Sequence, residues 1–253
     1  MDLQLKGRKA IITGGSKGIG RAIADLLAAE GCAVAICARN AGEVEAAVAA
    51  LRGKGVNAFG QALDVRDRAA LEGWVKASAD ALGGIDIAVA NVSALDMNRT
   101  EQAWINQFEI DMLHTVRTVE AALPHIERSD AGSILVISSV SGLEYDFTSP
   151  AYGTFKAALI HYASRMASTL APKHIRVNTV SPGNTYFEGG IWQHIERNMP
   201  DLFQPALAKN RWVRMATAAE VANAAVFLVS PRASFITGVN LVVDGALTNR
   251  VQY

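Results

Sequence analysis

Between Ser138 and Lys156 the chain reads SSVSGLEYDFTSPAYGTFK, a stretch that carries a hydroxyl, a phenol and an ammonium close together in sequence. Tyr152 and Lys156 stand four residues apart. Ala151, Ala157, Ala158 and Leu159 after Pro150 point to a helix, which places both side chains on one helix face. A free phenol has a pKa of about 10, so acid/base work near neutral pH asks for a drop of ~3 units, roughly 4 kcal/mol of preference for the phenolate. A neighbouring ammonium is one source of that preference. Taken alone, such a pair is usually a surface helix that happens to carry Tyr and Lys. Chemistry at the pair requires elements that hold a reactant against it.

Short apolar or β-branched runs alternate with longer helical patterns along the whole chain, the mark of βαβ units on a parallel sheet. Seven strands are expected, at Ala10–Thr13, Ala33–Cys37, Asn57–Leu63, Ile85–Asn91, Ser133–Ser138, Arg176–Val180 and Asn240–Asp244. The fold class is α/β, a Rossmann-type doubly wound, seven-stranded parallel sheet with helices on both faces. In the helix after the fourth strand, Trp104, Phe108, Met112 and Val116 recur at four-residue steps, followed by Val119 and Leu123, a stripe expected to pack on the sheet. No repeat or linker marks a boundary, so residues 1–253 read as one domain, with a change of character at Tyr186–Trp212.

The first strand runs into Thr13-Gly14-Gly15-Ser16-Lys17-Gly18-Ile19-Gly20 and then a helix from Arg21 to Glu30, the context of a dinucleotide-binding turn. Glycines let the backbone approach a diphosphate, and the free N–H groups at the helix start favour its charge. The spacing is G-x-x-x-G-x-G, not the general G-x-G-x-x-G. The second strand ends Cys37-Ala38-Arg39-Asn40, with a guanidinium where NAD-binding folds carry a carboxylate, and Lys17 is within reach of the same place. Two cations without an anion favour NADP over NAD, since Arg is suited to holding a phosphate.

The 253 residues are about half apolar, and Lys plus Arg equals Asp plus Glu at 24 each, so no global field favours nucleic acid or an anionic membrane. A small-molecule partner is expected. Cys32 and Cys37 lie in the apolar run CAVAICA, a buried strand in a reducing compartment. The N-terminal stretch lacks a signal-peptide hydrophobic region and no apolar run approaches ~18–20 residues, so a cytoplasmic protein is expected.

With these pieces together, the chain closely resembles the short-chain dehydrogenase/reductase family from about residue 5 to residue 247. The family's T-G-x-x-x-G-I-G is present as Thr13, Gly14, Gly18, Ile19 and Gly20. Its adenine-contacting Asp-Val matches Asp64 and Val65, and its Y-x-x-x-K matches Tyr152 and Lys156. Its catalytic serine, 13 residues before the tyrosine, selects Ser139 over Ser138. Pro182-Gly183 matches the turn that borders the nicotinamide, and Thr237-Gly238 and Asp244-Gly245 match the closing motifs. Three positions depart from the pattern. N-N-A-G appears as Ala90-Asn91-Val92-Ser93. The threonine four residues past Gly183 is Phe187, with Asn184 and Thr185 nearer. Asp111 stands where many members have a catalytic asparagine whose main-chain carbonyl helps to hold a water beside the lysine. An ionised Asp111 near Lys156 would partly offset the field that lowers the Tyr152 pKa, displacing the pH optimum to alkaline values relative to an Asp111→Asn variant.

The resemblance implies an NADP(H)-dependent oxidoreductase that interconverts a ketone or aldehyde and an alcohol; because cellular NADP pools are generally kept reduced, carbonyl reduction is the expected direction. It resembles the NADP-dependent 3-oxoacyl reductase-like members. Tyr152 would be the proton donor, Ser139 the hydrogen-bond partner of the reacting oxygen, and Lys156 the ribose ligand that also tunes the phenol; no metal is needed. The cofactor contacts implied are Gly14, Ser16, Lys17, Gly18, Ile19, Arg39, Asp64, Val65, Asn91, Tyr152, Lys156, Pro182, Gly183 and Thr185. The family also places a mobile substrate lid at about 184–215. Tyr186, Phe187, Trp192, Phe203 and Trp212 there would line an apolar substrate pocket, or pack the lid helices or a subunit contact. Lys209, Arg211 and Arg214 could meet the phosphate of an acyl-carrier thioester, the 3-oxoacyl reductase alternative, although such a cluster is more often a solvated face. His114 reads as a packing or interface residue. A non-catalytic NADP-binding regulator is the alternative of a different class, opposed by the intact Ser139, Tyr152 and Lys156. Family members are commonly homodimers or homotetramers built on the helices at Glu101–Arg128 and Ala151–Ala171.

Overall fold

In the computed structural model, which describes residues 1–251, strands and helices alternate in the order the sequence predicts. β1 (Lys9–Thr13), α1 (Gly18–Ala29), β2 (Ala33–Ala38), α2 (Ala41–Arg52), β3 (Ala58–Ala62), α3 (Arg68–Leu82) and β4 (Ile87–Ala90) make the first half. α4 (Glu101–Gln107), a π-helical turn (Phe108–Leu113) and α5 (His114–Ile126) form one long helix, followed by β5 (Ser133–Ile137), α6 (Pro150–Leu170) and β6 (Arg176–Pro182). The chain ends with β7 (Thr185–Tyr186), α7 (Ile191–Asn198), α8 (Pro200–Lys209), β8 (Ala216–Thr217), α9 (Ala218–Val229) and β9 (Asn240–Val243).

Seven strands form one parallel sheet in the order β3-β2-β1-β4-β5-β6-β9. Every residue of β4 and β5 is buried, as befits central strands covered on both faces. Alternation sorts the two cores. Ile12, Ile36 and Val89 meet α1, α2 and α9 through Leu27, Leu51 and Val226. Ile11, Ala35 and Ala88 meet α3, α5 and α6 through Trp74, Val119 and Leu159. Each fully buried Ile or Leu contributes roughly 1.5–3 kcal/mol.

The chain leaves β1 toward β2 on one side, while β4 lies on the other, so the carboxyl ends of β1 and β4 border the switch-point crevice in which ligands of such sheets bind. The expected strands fall within two residues of those observed. A ladder outside the sheet was not foreseen: β7 pairs with β8, Thr185 opposite Ala216 and Tyr186 opposite Thr217. It pins together both ends of the 184–215 segment. The helical stripe is corrected. Trp104 and Phe108 are 43% and 44% exposed, and the buried face carries Ala103, Gln107, Asp111, His114 and Thr118 instead. Val119 and Leu123 do pack on the sheet core.

Candidate functional site

The start of α6 sets the phenol and the ammonium. Ser149 is its N-cap: its Oγ accepts from Tyr152 N at 3.3 Å and donates to Asp96 O at 2.9 Å, tying the helix to the loop after β4. Pro150 occupies the first turn, where its missing N–H costs nothing. From there Tyr152 and Lys156 turn inward, 9% and 2% exposed, with Lys156 Nζ 5.6 Å from the centre of the phenol ring. Ser138 and Ser139 point to different partners. Ser138 Oγ donates to Lys156 O at 2.7 Å and is spent on packing, whereas the Ser139 hydroxyl faces the phenol. Burial raises the Tyr152 pKa, and Asp111 adds to this; the Lys156 ammonium and the Ser139 hydrogen bond pull the other way without prevailing. The phenol is therefore held protonated, the form that can donate.

Lys156 is held from behind. Nζ donates to Ile137 O at 3.2 Å and lies 3.0 Å from Asp111 Oδ1, while Asp111 Oδ2 accepts from Ala94 N at 2.9 Å. Burial works against the ammonium, but Asp111 and then Tyr152 outweigh it, so the Lys156 pKa is raised. The main-chain carbonyl of Asp111 accepts the Thr115 hydroxyl at 2.7 Å, so in this chain the lysine contact is made by the carboxylate. Asp111 is fully buried and lies outside the cleft that the other expected site residues line.

His114 ties down the π-turn that carries Asp111. Its Nδ1 lies 2.6 Å from Ile110 O. A carbonyl only accepts, so Nδ1 carries the proton and competes with the regular helix ladder for that oxygen. Nε2, 2.9 Å from Thr13 Oγ1, then accepts the Thr13 hydroxyl, which in turn accepts from Asn91 N at 3.0 Å. The expected packing role of His114 is thus specific: it joins the π-turn to the ends of β1 and β4. Burial pushes its pKa down to about 4, against weaker opposing effects of the Ile110 carbonyl and Asp111, so the ring is neutral.

The other residues expected for catalysis and cofactor contact line a single cleft of about 810 Å³: Gly14, Ser16, Lys17, Gly18, Ile19, Arg39, Asp64, Val65, Asn91, Ser139, Tyr152, Lys156, Pro182, Gly183 and Thr185; of the expected lid aromatics, Phe187 and Trp192 join them and Tyr186, Phe203 and Trp212 do not. The glycine turn is anchored by Gly14 N and Gly15 N to Cys37 O. It is too tight for side chains: a Cβ on Gly20 would lie 2.3 Å from Gly14 O, and Gly14 has φ +68°. α1 begins at Gly18, three residues earlier than expected, with no side-chain cap. The first N–H groups of α1 therefore remain available to a diphosphate at the mouth of the cleft, and the residues present fit a dinucleotide.

Asn91 Nδ2 donates to Thr13 O at 3.0 Å and Gly14 O at 3.3 Å, so it holds the turn. Asp64 is paired with Arg66, whose hydrogen bonds hold its carboxyl below the usual range. Thr185 Oγ1 donates to Gly183 O at 3.1 Å. One residue on this wall escaped sequence reasoning: Glu43, which accepts from Ser16 Oγ at 3.1 Å and lies 3.9 Å from Lys17 Nζ. The expectation of two cations without an anion is corrected, because α2 brings this carboxylate back over the turn.

Part of the cleft lining is apolar. Leu95, which has φ +49°, Phe187, Ile191 and Trp192 make up this part. Trp192 and Phe203 form a small core with Ile195, Ala206 and Met215, so Trp192 serves both packing and the cleft, whereas Phe203 serves packing. Phe187 lies against the glycine turn; a Cβ on Gly18 would come within 2.7 Å of its ring. Trp212 is 65% exposed and stacks with Arg214. Arg214 pairs with Glu220 and Arg211 with Asn249, so both guanidinium groups have partners within the chain. Cys32 and Cys37 are buried free thiols, each pushed up by burial to about 12.

A doubly wound sheet with a hydroxyl, a phenol and an ammonium beside its switch point, and a glycine cradle opposite, defines a class of oxidoreductases working on alcohol and carbonyl groups. The chain belongs to the short-chain dehydrogenase/reductase family. The family model described as enoyl-(acyl carrier protein) reductase matches residues 14–248. Dehydrogenase/reductase SDR family member 4 of Mus musculus is 31% identical over 98% of this chain and 89% of its own length. Isoepoxydon dehydrogenase patN of Aspergillus clavatus is 38% identical over 98% of both chains. Among solved structures, L-sorbose reductase from Gluconobacter frateurii, complexed with NADPH and L-sorbose, superposes with a TM-score of 0.91 at 28% identity, covering 99% of this chain and 100% of its own. A 7α-hydroxysteroid dehydrogenase complexed with NADH and 7-oxo glycochenodeoxycholic acid gives 0.89 at 29% identity, covering 97% and 96%. No helix among the described residues is long and apolar enough to cross a membrane.

Proposed function

We propose that the protein is an NADP(H)-dependent carbonyl reductase that acts on an apolar ketone or aldehyde. The observation that carries this reading is the convergence of Ser139, Tyr152 and a 2%-exposed Lys156 on the same cleft as the glycine turn and Arg39. When bound, NADPH supplies the hydride. The chain's own part is protonic and positional. The Tyr152 phenol, kept protonated by burial, donates to the carbonyl oxygen, and the Ser139 hydroxyl orients that oxygen. Lys156, clamped by Asp111 and Ile137 O, steadies the phenolate left behind.

Arg39 and Lys17 support NADP, as do the NADP and NADPH complexes among the structural relatives. Leu95, Phe187, Ile191 and Trp192 support an apolar substrate, and the ladder-pinned segment 184–215 fits a lid over it. The exposed Trp104 and Phe108, both packed against Phe155 of α6, support a homodimer or homotetramer built on α4–α6. The test is NADPH and NADH oxidation followed against ketones, quinones, steroids and 3-oxoacyl thioesters, with Tyr152→Phe as control. Turnover by the native chain should fall by about 10²–10⁴-fold in the variant while NADPH binding stays. Undiminished turnover in Tyr152→Phe removes the assignment of the acid.

A further inference from the structure

Glu43 is the third residue of α2, and its N–H is fixed by the Asn40 cap at 3.1 Å. From that position its carboxylate crosses to the glycine turn, where Ser16 Oγ donates to Oε2 at 3.1 Å and Lys17 Nζ lies 3.9 Å from Oε1. Two groups suited to a phosphate are thus engaged by an anion of the chain itself, on the cleft wall that also carries Arg39. We infer that Glu43 is a cofactor-specificity residue: its carboxylate occupies the place on Ser16 and Lys17 that the adenosine 2′-phosphate of NADP(H) would take, and so restrains the preference for NADPH over NADH. This rests on the reading that the chain binds NADP(H).

The physical basis is a difference in charge between the two ligands. A phosphate monoester carries about −1.5 to −2 charges near neutral pH, so its arrival displaces Glu43 from both partners and leaves two anions side by side. The ribose hydroxyl of NADH carries no charge and imposes neither penalty. Glu43 and Lys17 have side chains 41% and 62% exposed, so water screens the repulsion and the effect is modest.

The test measures equilibrium dissociation constants for NADPH and NADH with the intact chain and with Glu43→Gln and Glu43→Ala, at low and at high salt. Circular dichroism checks the fold of each variant. In both variants NADPH binding should tighten by about 3- to 10-fold, NADH binding should change by less than about 2-fold, and the gain should shrink in high salt. Unchanged or weaker NADPH binding in folded Glu43→Gln, or equal tightening for NADH, overturns the inference while leaving NADP(H) as the cofactor. If the native chain binds no NADPH at all, the cofactor reading itself falls, and this inference with it.

Discussion

Acid should unfold this protein partly through His114, a fully buried residue. Its ring is fully buried, with Nδ1–H on Ile110 O and Nε2 accepting from Thr13. Burial lowers its pKa from 6.5 to about 4; Asp111 acts to raise it and Lys156 to lower it. Because the folded-state value is the depressed one, the unfolded chain binds a proton between pH 6.5 and about 4 while the folded chain does not. Stability therefore falls as pH drops through that window. The difference of about 2.5 units, at 1.36 kcal/mol each, amounts to roughly 3 kcal/mol. That is a large share of a typical 5–15 kcal/mol, and at 2–4 °C per kcal/mol for a chain of this size it corresponds to roughly 6–12 °C in melting temperature. Thermal melts from pH 7 to pH 4, at fixed ionic strength and protein concentration, would compare the native chain with His114→Gln. The variant should begin less stable at pH 7, having lost a shaped hydrogen-bond partner, yet lose about 3 kcal/mol less on acidification. Parallel pH–stability curves for the two proteins would refute the argument, because carboxylate titration is common to both.

Two further outcomes follow from the same geometry. Asp111 acts to raise the pKa of the Tyr152 phenol, so Asp111→Asn should displace the pH–rate profile toward acid; superimposable profiles would show that the buried carboxylate leaves the phenol untouched. Trp104→Glu combined with Phe108→Glu should convert a dimer or tetramer to a smaller species in sedimentation, with the monomer's fold retained, since both rings stand on the surface; a native chain that already sediments as a monomer would dismiss the proposed interface.

Much of the site was legible because its parts are local. The turn Gly14–Gly20, the start of α6 at Ser149-Pro150, and the four-residue step from Tyr152 to Lys156 each depend on neighbours within one turn of chain, so residue type and spacing suffice. The choice of Ser139 over Ser138 rested on the family's spacing of serine to tyrosine. The apolar stripe of the long helix misled for an equally local reason: it assumed 3.6 residues per turn throughout. The π-turn at Phe108–Leu113 breaks that period, so Trp104 and Phe108 face outward while Met112, Val119 and Leu123 pack on the core.

The amino-acid sequence by itself determined the alternation of strands and helices and the glycine-rich turn, because periodicity and short spacing are properties of neighbouring residues; Ser139, Tyr152 and Lys156 were singled out by their match to the motifs of the short-chain dehydrogenase/reductase family. Only the tertiary structure decided what stands behind and beside them. Asp111 meets Lys156 across 45 positions of sequence, His114 meets Thr13 across 101, and Glu43 returns over Ser16 across 27. Those distances close only when the parallel sheet brings the ends of β1, β2, β4 and β5 to one edge, where charge, burial and hydrogen bonding act between residues that have no local signal in common.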